Sequence, residues 1–155
     1  MDNDPIKQFW QAYLDTLPAG SPVRAERYVA EWFGDNPDLA NELGALIVGG
    51  QKTATCSALW EWEAEGESLP EVGLKTIVLD GHGVPLCIIE TTEVTMRPYN
   101  QVEAQFAYDE GEGDRSLAYW RDAHWRYFSR VLPAIGRTPT EEMLLVCERF
   151  QVVYK

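Results

Sequence analysis

Two adjacent glycines, Gly49 and Gly50, constrain the fold of this chain more than any other local feature, because they separate a helical first third from a strand-rich remainder. The segment before them, 43–48, is apolar and has the pattern of a helix end, and glycine commonly ends helices. The stretch after Lys52 is rich in β-branched residues, which favours a strand. The chain is therefore predicted to form helices first and a sheet afterwards, with Lys52 at the turn between them.

Three short helices are predicted before the glycine pair. The first starts at Pro5, and apolar residues follow at helical spacing up to residue 17. The second starts at Ser21-Pro22, with Ser21 as its cap, and turns Tyr28 and Trp32 inward. The third follows the turn at 34–37 and ends at the glycine pair.

The chain after the glycine pair is predicted to be mostly sheet. Its β-branched and apolar segments are 53–59, 74–80, 86–94 and 144–153. The sequence of residues 80–83, Asp-Gly-His-Gly, predicts a hairpin turn, and residues 116–128 have the spacing of an amphipathic helix. These elements predict an α+β fold: a curved, partly closed, mainly antiparallel β-barrel covered by helices. The 155 residues are expected to form one domain, with 1–38 as a helical extension packed on it.

The charge of the chain bears on its partners. It carries 25 acidic residues against 13 lysines and arginines, a formal net charge of -12, which argues against tight binding to duplex nucleic acid. Three widely spaced cysteines fit neither a disulfide framework nor a zinc site, so they are expected to be reduced thiols. The stretch from Met1 to Pro5 lacks the pattern of a signal peptide, and no apolar run is long enough to span a membrane. A cytoplasmic location is therefore expected.

Lys52 and the threonines after it are the first candidate for chemistry. In a strand, Thr53, Thr55 and Ser57 share one face, and Lys52 lies at the turn beside them. The register of the glycines around Lys52 does not match a phosphate-binding P-loop. Two readings stay open: a helix stop with a solvated lysine, or a partly desolvated Lys52 with a lowered pKa that acts as base to a threonine hydroxyl.

The segment 110–116 is the second candidate. Glu110, Glu112 and Asp114 alternate with glycines in a mobile acidic loop, and mutual repulsion could raise the pKa of one of them and make it a proton donor. The alternative is that Asp114 or Ser116 caps the next helix while the glutamates stay in water.

The helix that follows this acidic segment carries aromatic and basic side chains. His124 lies on its apolar stripe, where a histidine is more often a core residue than a ligand. Arg121 and Trp125, four residues apart, form a candidate binding surface. The two histidines of the chain have no cysteine or histidine partners at ligand spacing, so no metal ligands are assigned.

Together, Gly50-Gln51-Lys52-Thr53-Ala54-Thr55 and the later acidic segment with Trp120-Arg121 resemble the ASCH domain in its longer bacterial form. The resemblance covers roughly 39–154 and implies a β-barrel related to the RNA-binding PUA domain. Some small ASCH proteins remove the acyl group from N4-acetylcytidine with a lysine, a threonine three residues later and a distal glutamate. Lys52 and Thr55 match the first two, and Glu110, Glu112 or Asp114 could be the third. A longer member is described as a metal-dependent ribonuclease.

Three functions follow from the residues and the resemblance. The first is an amidohydrolase of N4-acylated cytidine, in which neutral Lys52 takes the Thr55 proton, Thr55 attacks the acyl carbonyl and an acid of the loop protonates the leaving nitrogen. The others are a ribonuclease acting on single-stranded RNA and a non-catalytic RNA-binding module. No cofactor is expected unless the ribonuclease needs a divalent metal, and no obligate protein partner is inferred. The predicted catalytic residues are Lys52, Thr55, Glu112 and Glu110. The predicted substrate-binding residues are Gly50, Thr53, Ser57, Asp114, Arg115, Arg121 and Trp125.

Overall fold

A computed structural model describes residues 3–155, which form one five-stranded sheet with helices packed on it. The strands are β1 Tyr28–Trp32, β2 Ala54–Ala58, β3 Lys75–Leu79, β4 Pro85–Pro98 and β5 Leu144–Tyr154. The α-helices are α1 Pro5–Asp15, α2 Pro37–Val48, α3 Leu59–Glu65, α4 Ala104–Glu110 and α5 Leu117–Val131. Short 3₁₀ turns cover Pro22–Ala25, Tyr99–Gln101 and Leu132–Ile135.

The strand order is β1-β3-β4-β5-β2; the β1–β3 pair is parallel and the other three pairs are antiparallel. The long strands β4 and β5 form the centre of the sheet, and their pairing contains irregularities at Ile88/Ile89 and Thr91/Glu93. Such bulges increase local twist and bend a sheet. The sheet curls into a half-barrel covered by helices, which confirms the predicted α+β fold and its PUA-like character.

Three apolar clusters hold the helices on the sheet. Helix α1 packs Trp10, Tyr13 and Leu14 against β3 and β4. The end of α2 contributes Ile47 to a second cluster with residues of β3, β4 and β5. Helices α4 and α5 cover β2 and β5 through a third cluster, in which Phe128 is fully buried. These contacts fix α2, β2, α4 and α5 relative to one another.

The local signals in the sequence place most elements correctly. Asn36 caps α2 by accepting a hydrogen bond from the Leu39 amide at 2.9 Å, and Gly49 ends that helix. The β3–β4 hairpin forms at the predicted 80–83 turn, where Asp80 accepts bonds from two backbone amides. Ser116 caps α5, which is one of the two alternatives predicted for the acidic segment.

The prediction of a second helix, starting at Ser21-Pro22, is wrong. The chain makes only one 3₁₀ turn over Pro22–Ala25 and then forms β1, whose backbone pairs with β3. Tyr28 stacks on Trp10 of α1 at 4.3 Å between ring centroids. Aromatic and β-branched residues suit a pleated surface, and pairing with a distant strand decided their conformation here. The described part of the predicted helical extension, residues 3–38, is therefore not purely helical.

Two helices were not predicted. Helix α3 includes the first residues of a glutamate-rich stretch, 61–71. At the start of this helix, Glu61 accepts a hydrogen bond from the Ala58 amide. Helix α4 ends at Glu110, so the acidic segment is shorter than predicted and begins at Gly111. Glu110 therefore has a helical backbone and is held in place by α4.

In the described part of the chain, no helix has both the length and the apolar character needed to cross a membrane. Met1 and Asp2, which belong to the stretch used for the signal-peptide prediction, lie outside the described residues.

Candidate active site

Lys52 is buried in the connection between α2 and β2. Gly50 adopts a positive φ of 81°, which glycine tolerates without strain, and the Lys52 amide donates to the Leu46 carbonyl at 3.1 Å. This turn directs the side chain inward, so only 2% of Lys52 is exposed. The reading with a solvated lysine is thereby excluded.

The Lys52 ammonium group contacts two carboxylates of the acidic segment. Its Nζ lies 3.0 Å from Glu110 Oε1 and 3.1 Å from Glu112 Oε2, and it also donates to the Ala54 carbonyl at 2.9 Å. Burial acts to lower the pKa of Lys52, but the charges of Glu110 and Glu112 outweigh burial and raise it. The predicted lowering of the Lys52 pKa is wrong, because the sequence could not show that two carboxylates surround the amine. Lys52 is an ammonium cation in this site.

Glu110 is the centre of the cluster. Its side chain is 1% exposed, and Oε2, the oxygen not paired with Lys52, lies 3.2 Å from His124 Nε2 and accepts a hydrogen bond from Trp120 Nε1. Burial acts to raise the Glu110 pKa, whereas the charges of Lys52 and His124 lower it, and the net direction is down. The hypothesis of a loop carboxyl with a raised pKa is therefore wrong for Glu110. A carboxylate this enclosed anchors the cations and is not a proton donor.

His124 is a site residue that the sequence assigned to the core. Its Nε2 faces Glu110 and its Nδ1 faces the Trp120 carbonyl at 2.9 Å, while its ring stacks on Trp120 at 4.2 Å. Burial lowers the pKa of His124, but Glu110 outweighs it and raises the pKa. Since both ring nitrogens face oxygen acceptors, the protonated ring has two partners. The signal available in the sequence was the i, i+4 spacing of Trp120 and His124 just after the acidic segment.

Backbone contacts hold the two halves of the cluster together. The Thr53 amide donates to the Asp109 carbonyl at 2.8 Å, and Gln51 Nε2 donates to the Gly111 carbonyl at 2.5 Å. Gly111 has a φ of 74°, and a Cβ there would lie 2.5 Å from the Gln51 carbonyl oxygen. Only glycine fits this approach. The segment 51–53 and the end of α4 thus meet backbone to backbone.

The cluster borders a cavity of about 370 Å³. Glu112, whose side chain is 20% exposed, lines it together with Lys52 and His124. Thr55, Cys56 and Ser57 of β2 also line this cavity. The remaining walls come from the β1–α2 region, α3, α4, α5 and β5, with these residues: Glu31, Trp32, Phe33, Gly34, Leu39, Glu42, Leu43, Trp62, Glu110, Tyr119, Ala123, Arg126, Tyr127, Arg130 and Glu148.

Thr55 and Lys52 line the same cavity, but they are not hydrogen-bonded to each other. Within residues 3–155, the hydrogen bonds of Lys52 Nζ go to Ala54, Glu110 and Glu112. The Ser57 hydroxyl is engaged elsewhere, since it accepts a bond from Trp62 Nε1 at 2.7 Å. The carboxylates of the acidic segment contact Lys52 directly, whereas Thr55 lines the same cavity without a hydrogen bond to Lys52.

Four predicted substrate-binding residues lie outside this cavity and have structural contacts. Gly50 forms the turn after α2, and Thr53 is exposed and donates to the Asp109 carbonyl at 3.3 Å. Asp114 accepts a bond from the Ser116 amide at 2.9 Å, and hydrogen bonding to the Ser116 side chain, and next to this amide, lowers the pKa of Asp114. Arg115 lies over the Tyr108 ring at 3.6 Å and donates to the Tyr108 carbonyl at 3.0 Å.

Arg121 and Trp125 belong to a different surface. They line a separate depression with Ala118 and Asp122, whereas Ala123, Tyr127 and other α5 residues line the main cavity. Positions 118, 121, 122 and 125 follow one helical stripe, so the two sets occupy different faces of α5. The structure therefore does not bring the Arg121–Trp125 pair to Lys52.

Cys56, Glu110 and His124 could be considered as metal ligands, because one donor atom from each lies within 4.8 Å of the others. The charges of the site do not fit a divalent cation. Glu110 is already paired with Lys52, and burial, followed by the Glu110 charge, raises the pKa of the Cys56 thiol well above its ordinary value. A metal would have to displace two cations and deprotonate this thiol. This donor set is a poor metal site.

The cavity also contains carboxyl groups away from Lys52. Glu148 of β5 pairs in register with Thr55 of β2, and Glu31 of β1 lines the same cavity. Burial, and next the Glu31 charge, raises the pKa of Glu148 to about 7, while a hydrogen bond from Thr91 opposes the shift. Burial also raises the pKa of Glu31, with Glu67 and Glu65 adding to it. The sequence contains no signal for these two residues, because their proximity depends on the curl of the sheet.

The half-barrel with a helix-lined cavity defines a PUA-like domain, a class that is generally RNA-related. The family model of the ASCH domain matches residues 29–154, and the chain belongs to this family, as its motifs predicted.

Two solved structures support this assignment. The crystal structure of an ASCH domain from Lactobacillus crispatus JV V101 is 41% identical, with a TM-score of 0.87, over 96% of this chain and 94% of that one. The structure of protein EF3133 from Enterococcus faecalis V583 is 40% identical, with a TM-score of 0.83, over 97% of this chain and 88% of that one. No curated protein matches the chain.

Proposed function

We propose that this protein is an amidohydrolase that removes the acyl group from N4-acylated cytidine. The observation that carries the proposal is the charged Lys52–Glu112 pair, which faces a cavity of about 370 Å³ beside Thr55. Small-molecule sites occupy about 300–1,000 Å³, so a nucleoside is of suitable size. A neutral nucleoside also avoids the repulsion that an acidic protein exerts on phosphates.

Lys52 acts here as a cation, not as a base. An amide presents a carbonyl acceptor beside an N–H donor, and the ammonium of Lys52 beside the carboxylate of Glu112 offers the complementary pair. When the carbonyl carbon is attacked, negative charge develops on its oxygen, and a fixed cation stabilises that charge. Glu110, which is itself paired with His124, holds this cation in place from the buried side of the cluster.

Thr55 is the proposed nucleophile. Its Oγ1 forms a bond to the acyl carbon, the carbonyl electron pair moves to oxygen, and the Thr55 proton passes to a carboxylate of the cavity. Collapse breaks the bond between carbon and N4, and the same carboxylate returns the proton to N4, which releases cytidine. Water then hydrolyses the threonine ester and regenerates Thr55. The sequence assigned the Thr55 proton to Lys52 and protonation of the leaving nitrogen to an acid of the loop. Lys52 is already protonated, however, Glu110 is enclosed, and Glu112 is bound to Lys52.

The test is release of cytidine from N4-acetylcytidine, followed by chromatography. Thr55→Ala is expected to abolish turnover, and Lys52→Met is expected to reduce it by about 10²–10³-fold, as for removal of an oxyanion donor. Thr95→Ala is the matched control, because Thr95 is an exposed strand threonine outside the cavity. Cytidine release that survives Thr55→Ala would refute the nucleophile assignment.

A second candidate, RNA binding without turnover, is supported by exposed aromatic rings at the cavity. Trp32 is 41% exposed and Tyr119 is 38% exposed, and such rings can stack on unpaired bases. Binding of single-stranded RNA without cleavage, together with no turnover of N4-acetylcytidine, would favour this candidate. RNA cleavage that a chelator abolishes would instead favour the metal-dependent ribonuclease.

A further inference from the structure

Glu148 lies next to Thr55 although 93 positions of sequence separate them. The two residues face each other in the β2–β5 register, and both line the cavity. Residues directly opposite each other on antiparallel strands project to the same face, with Cβ atoms about 4.5–5.5 Å apart. A glutamate side chain can span that distance to a threonine hydroxyl.

The surroundings of Glu148 keep its proton affinity high. Burial, and next the charge of Glu31 on β1, raises the pKa of Glu148 to about 7, and the Thr91 hydroxyl on β4 opposes this through a hydrogen bond. Glu42 of α2 and the Lys52 cation are further charged groups along the cavity. Among the ion pairs of residues 3–155, none includes Glu148.

The other charged groups near Thr55 are less suited to accept its proton. Lys52 is already protonated, and its raised pKa keeps it so. Both oxygens of Glu110 are occupied by Lys52, His124 and Trp120. Glu112 reaches the cavity, but one of its oxygens is bound to Lys52 at 3.1 Å. Glu148 has no cation that would have to be released first.

We infer that Glu148 is the catalytic carboxylate that takes the Thr55 proton and returns it to the leaving nitrogen. This inference rests on the proposed function. In the first step the Thr55 O–H bond breaks, its proton moves to the Glu148 carboxylate, and the oxygen forms the bond to the acyl carbon. In the second step the bond from carbon to N4 breaks, and the proton of Glu148 moves to N4. The carboxylate is regenerated, so no other reactant is needed until water enters.

The primary experiment is the pH dependence of kcat/KM for N4-acetylcytidine in the wild type and three variants. In the wild type kcat/KM should rise with pH through about 7, as Glu148 loses its proton. Glu148→Gln should lower kcat by on the order of 10²–10⁴-fold, the range for a lost general base, and remove this rise. Glu31→Gln should keep the rise but move it to lower pH, because a like charge beside Glu148 is gone. Glu142→Gln, at an exposed glutamate before β5, is the matched control.

Thermal unfolding of Glu148→Gln confirms that the variant is folded. Glutamine matches glutamate in shape and removes a buried ionisable group, so folding should be retained. Wild-type kcat and an unchanged pH profile in Glu148→Gln would overturn the inference while the proposed function stands.

A second substrate separates the inference from the proposed function. The protein is treated with 4-nitrophenyl acetate, and acetylation of Thr55 is measured by mass spectrometry. If N4-acetylcytidine is not turned over but Thr55 is acetylated with a rise near pH 7 that Glu148→Gln removes, the proposed function fails and the inference holds. If acetylation of Thr55 does not depend on Glu148, or if Thr55 is never acetylated and no substrate is turned over, the inference is wrong.

Discussion

Residues 3–155 contain two buried lysines, each paired with two glutamates, and the two clusters differ in ways that distinguish a functional site from a structural ion cluster. Lys75 of β3 is 4% exposed and lies 2.9 Å from Glu26 and 3.6 Å from Glu90. Burial acts to lower the Lys75 pKa, but Glu26 and Glu90 raise it, as Glu110 and Glu112 do for Lys52. Burial, pairing and the direction of the pKa shift are therefore the same for both lysines.

The partners and the surroundings are what differ. The side chains of Glu26 and Glu90 are 41% and 30% exposed, so water can solvate them, whereas Glu110 is 1% exposed. Lys75 does not line the main cavity and Lys52 does. Comparison of the Lys52 and Lys75 clusters shows that a buried lysine with a raised pKa is not by itself a sign of function. The informative feature is an enclosed ion cluster with one member, Glu112, open to a cavity.

The largest difference between the clusters is expected from matched Lys→Met variants. Lys52→Met leaves Glu110 ionised in an enclosed site, which should lower the free energy of unfolding by about 3–5 kcal/mol, and it should reduce turnover by about 10²–10³-fold. Lys75→Met leaves partners that water reaches, so a loss of about 1–2 kcal/mol and wild-type turnover are expected. Chemical denaturation and the N4-acetylcytidine assay measure the two quantities.

The double variant Lys52→Met/Glu110→Gln is the control for this comparison. It removes both buried charges and should recover part of the stability that Lys52→Met loses, while turnover stays low. If Lys75→Met reduces turnover as much as Lys52→Met in a folded protein, the distinction between site and scaffold is wrong.

Substitution of one glycine in each cluster tests how far the cluster depends on a close backbone approach. Gly111 and Gly73 both have positive φ, 74° and 94°, but an added Cβ meets the Gln51 backbone only at Gly111 and open space at Gly73. Gly73→Ala should cost about 1 kcal/mol of stability from backbone strain alone. Gly111→Ala should cost about 2–4 kcal/mol and reduce turnover, because α4 must move away from Gln51. Equal losses in denaturation experiments would show that the close approach at Gly111 is unimportant.

Elements with local signals could be predicted from the sequence, and elements set by distant pairing could not. The Asn36 cap, the glycine pair and the 80–83 turn are local, and each marks an observed boundary. Strand β1 was missed because its conformation depends on parallel pairing with β3, about 47 residues further along the chain.

The same division applies to the site. The motifs identified the ASCH family. The structure brings together the two predicted segments, with Lys52 of the first in contact with Glu110 and Glu112 of the second. The direction of the Lys52 pKa shift could not be predicted, because it depends on which charges surround the amine. Glu148 could not be found from the sequence either, since only the β2–β5 register places it beside Thr55.

A smaller effect is expected from acid titration of the Lys52 cluster. The folded pKa of Glu110 lies below its ordinary value, so its ionisation stabilises the fold above about pH 4.5 and this contribution is lost as the pH falls. The loss for one proton is at most about 1.4 kcal/mol per pH unit. Glu110→Gln should therefore lose less stability than the wild type between pH 5 and pH 3, measured by denaturation at each pH. Parallel curves for the two proteins would contradict the lowered pKa.

The smallest effect concerns His124, which the Lys52 cluster has and the Lys75 cluster lacks. Its folded pKa is raised, so its contribution to stability is present below about pH 6.5 and is lost as the pH rises through the folded pKa. Glu148, whose pKa is raised to about 7, also makes the wild type less stable over part of this range, so the measurement belongs in a Glu148→Gln background. There, stability should decline above pH 6.5 by at most about 1.4 kcal/mol per pH unit, and adding His124→Gln should flatten the curve. A decline that persists without His124 would mean that Glu110 does not hold a protonated imidazole, and Lys52 would then be the main cation that neutralises Glu110.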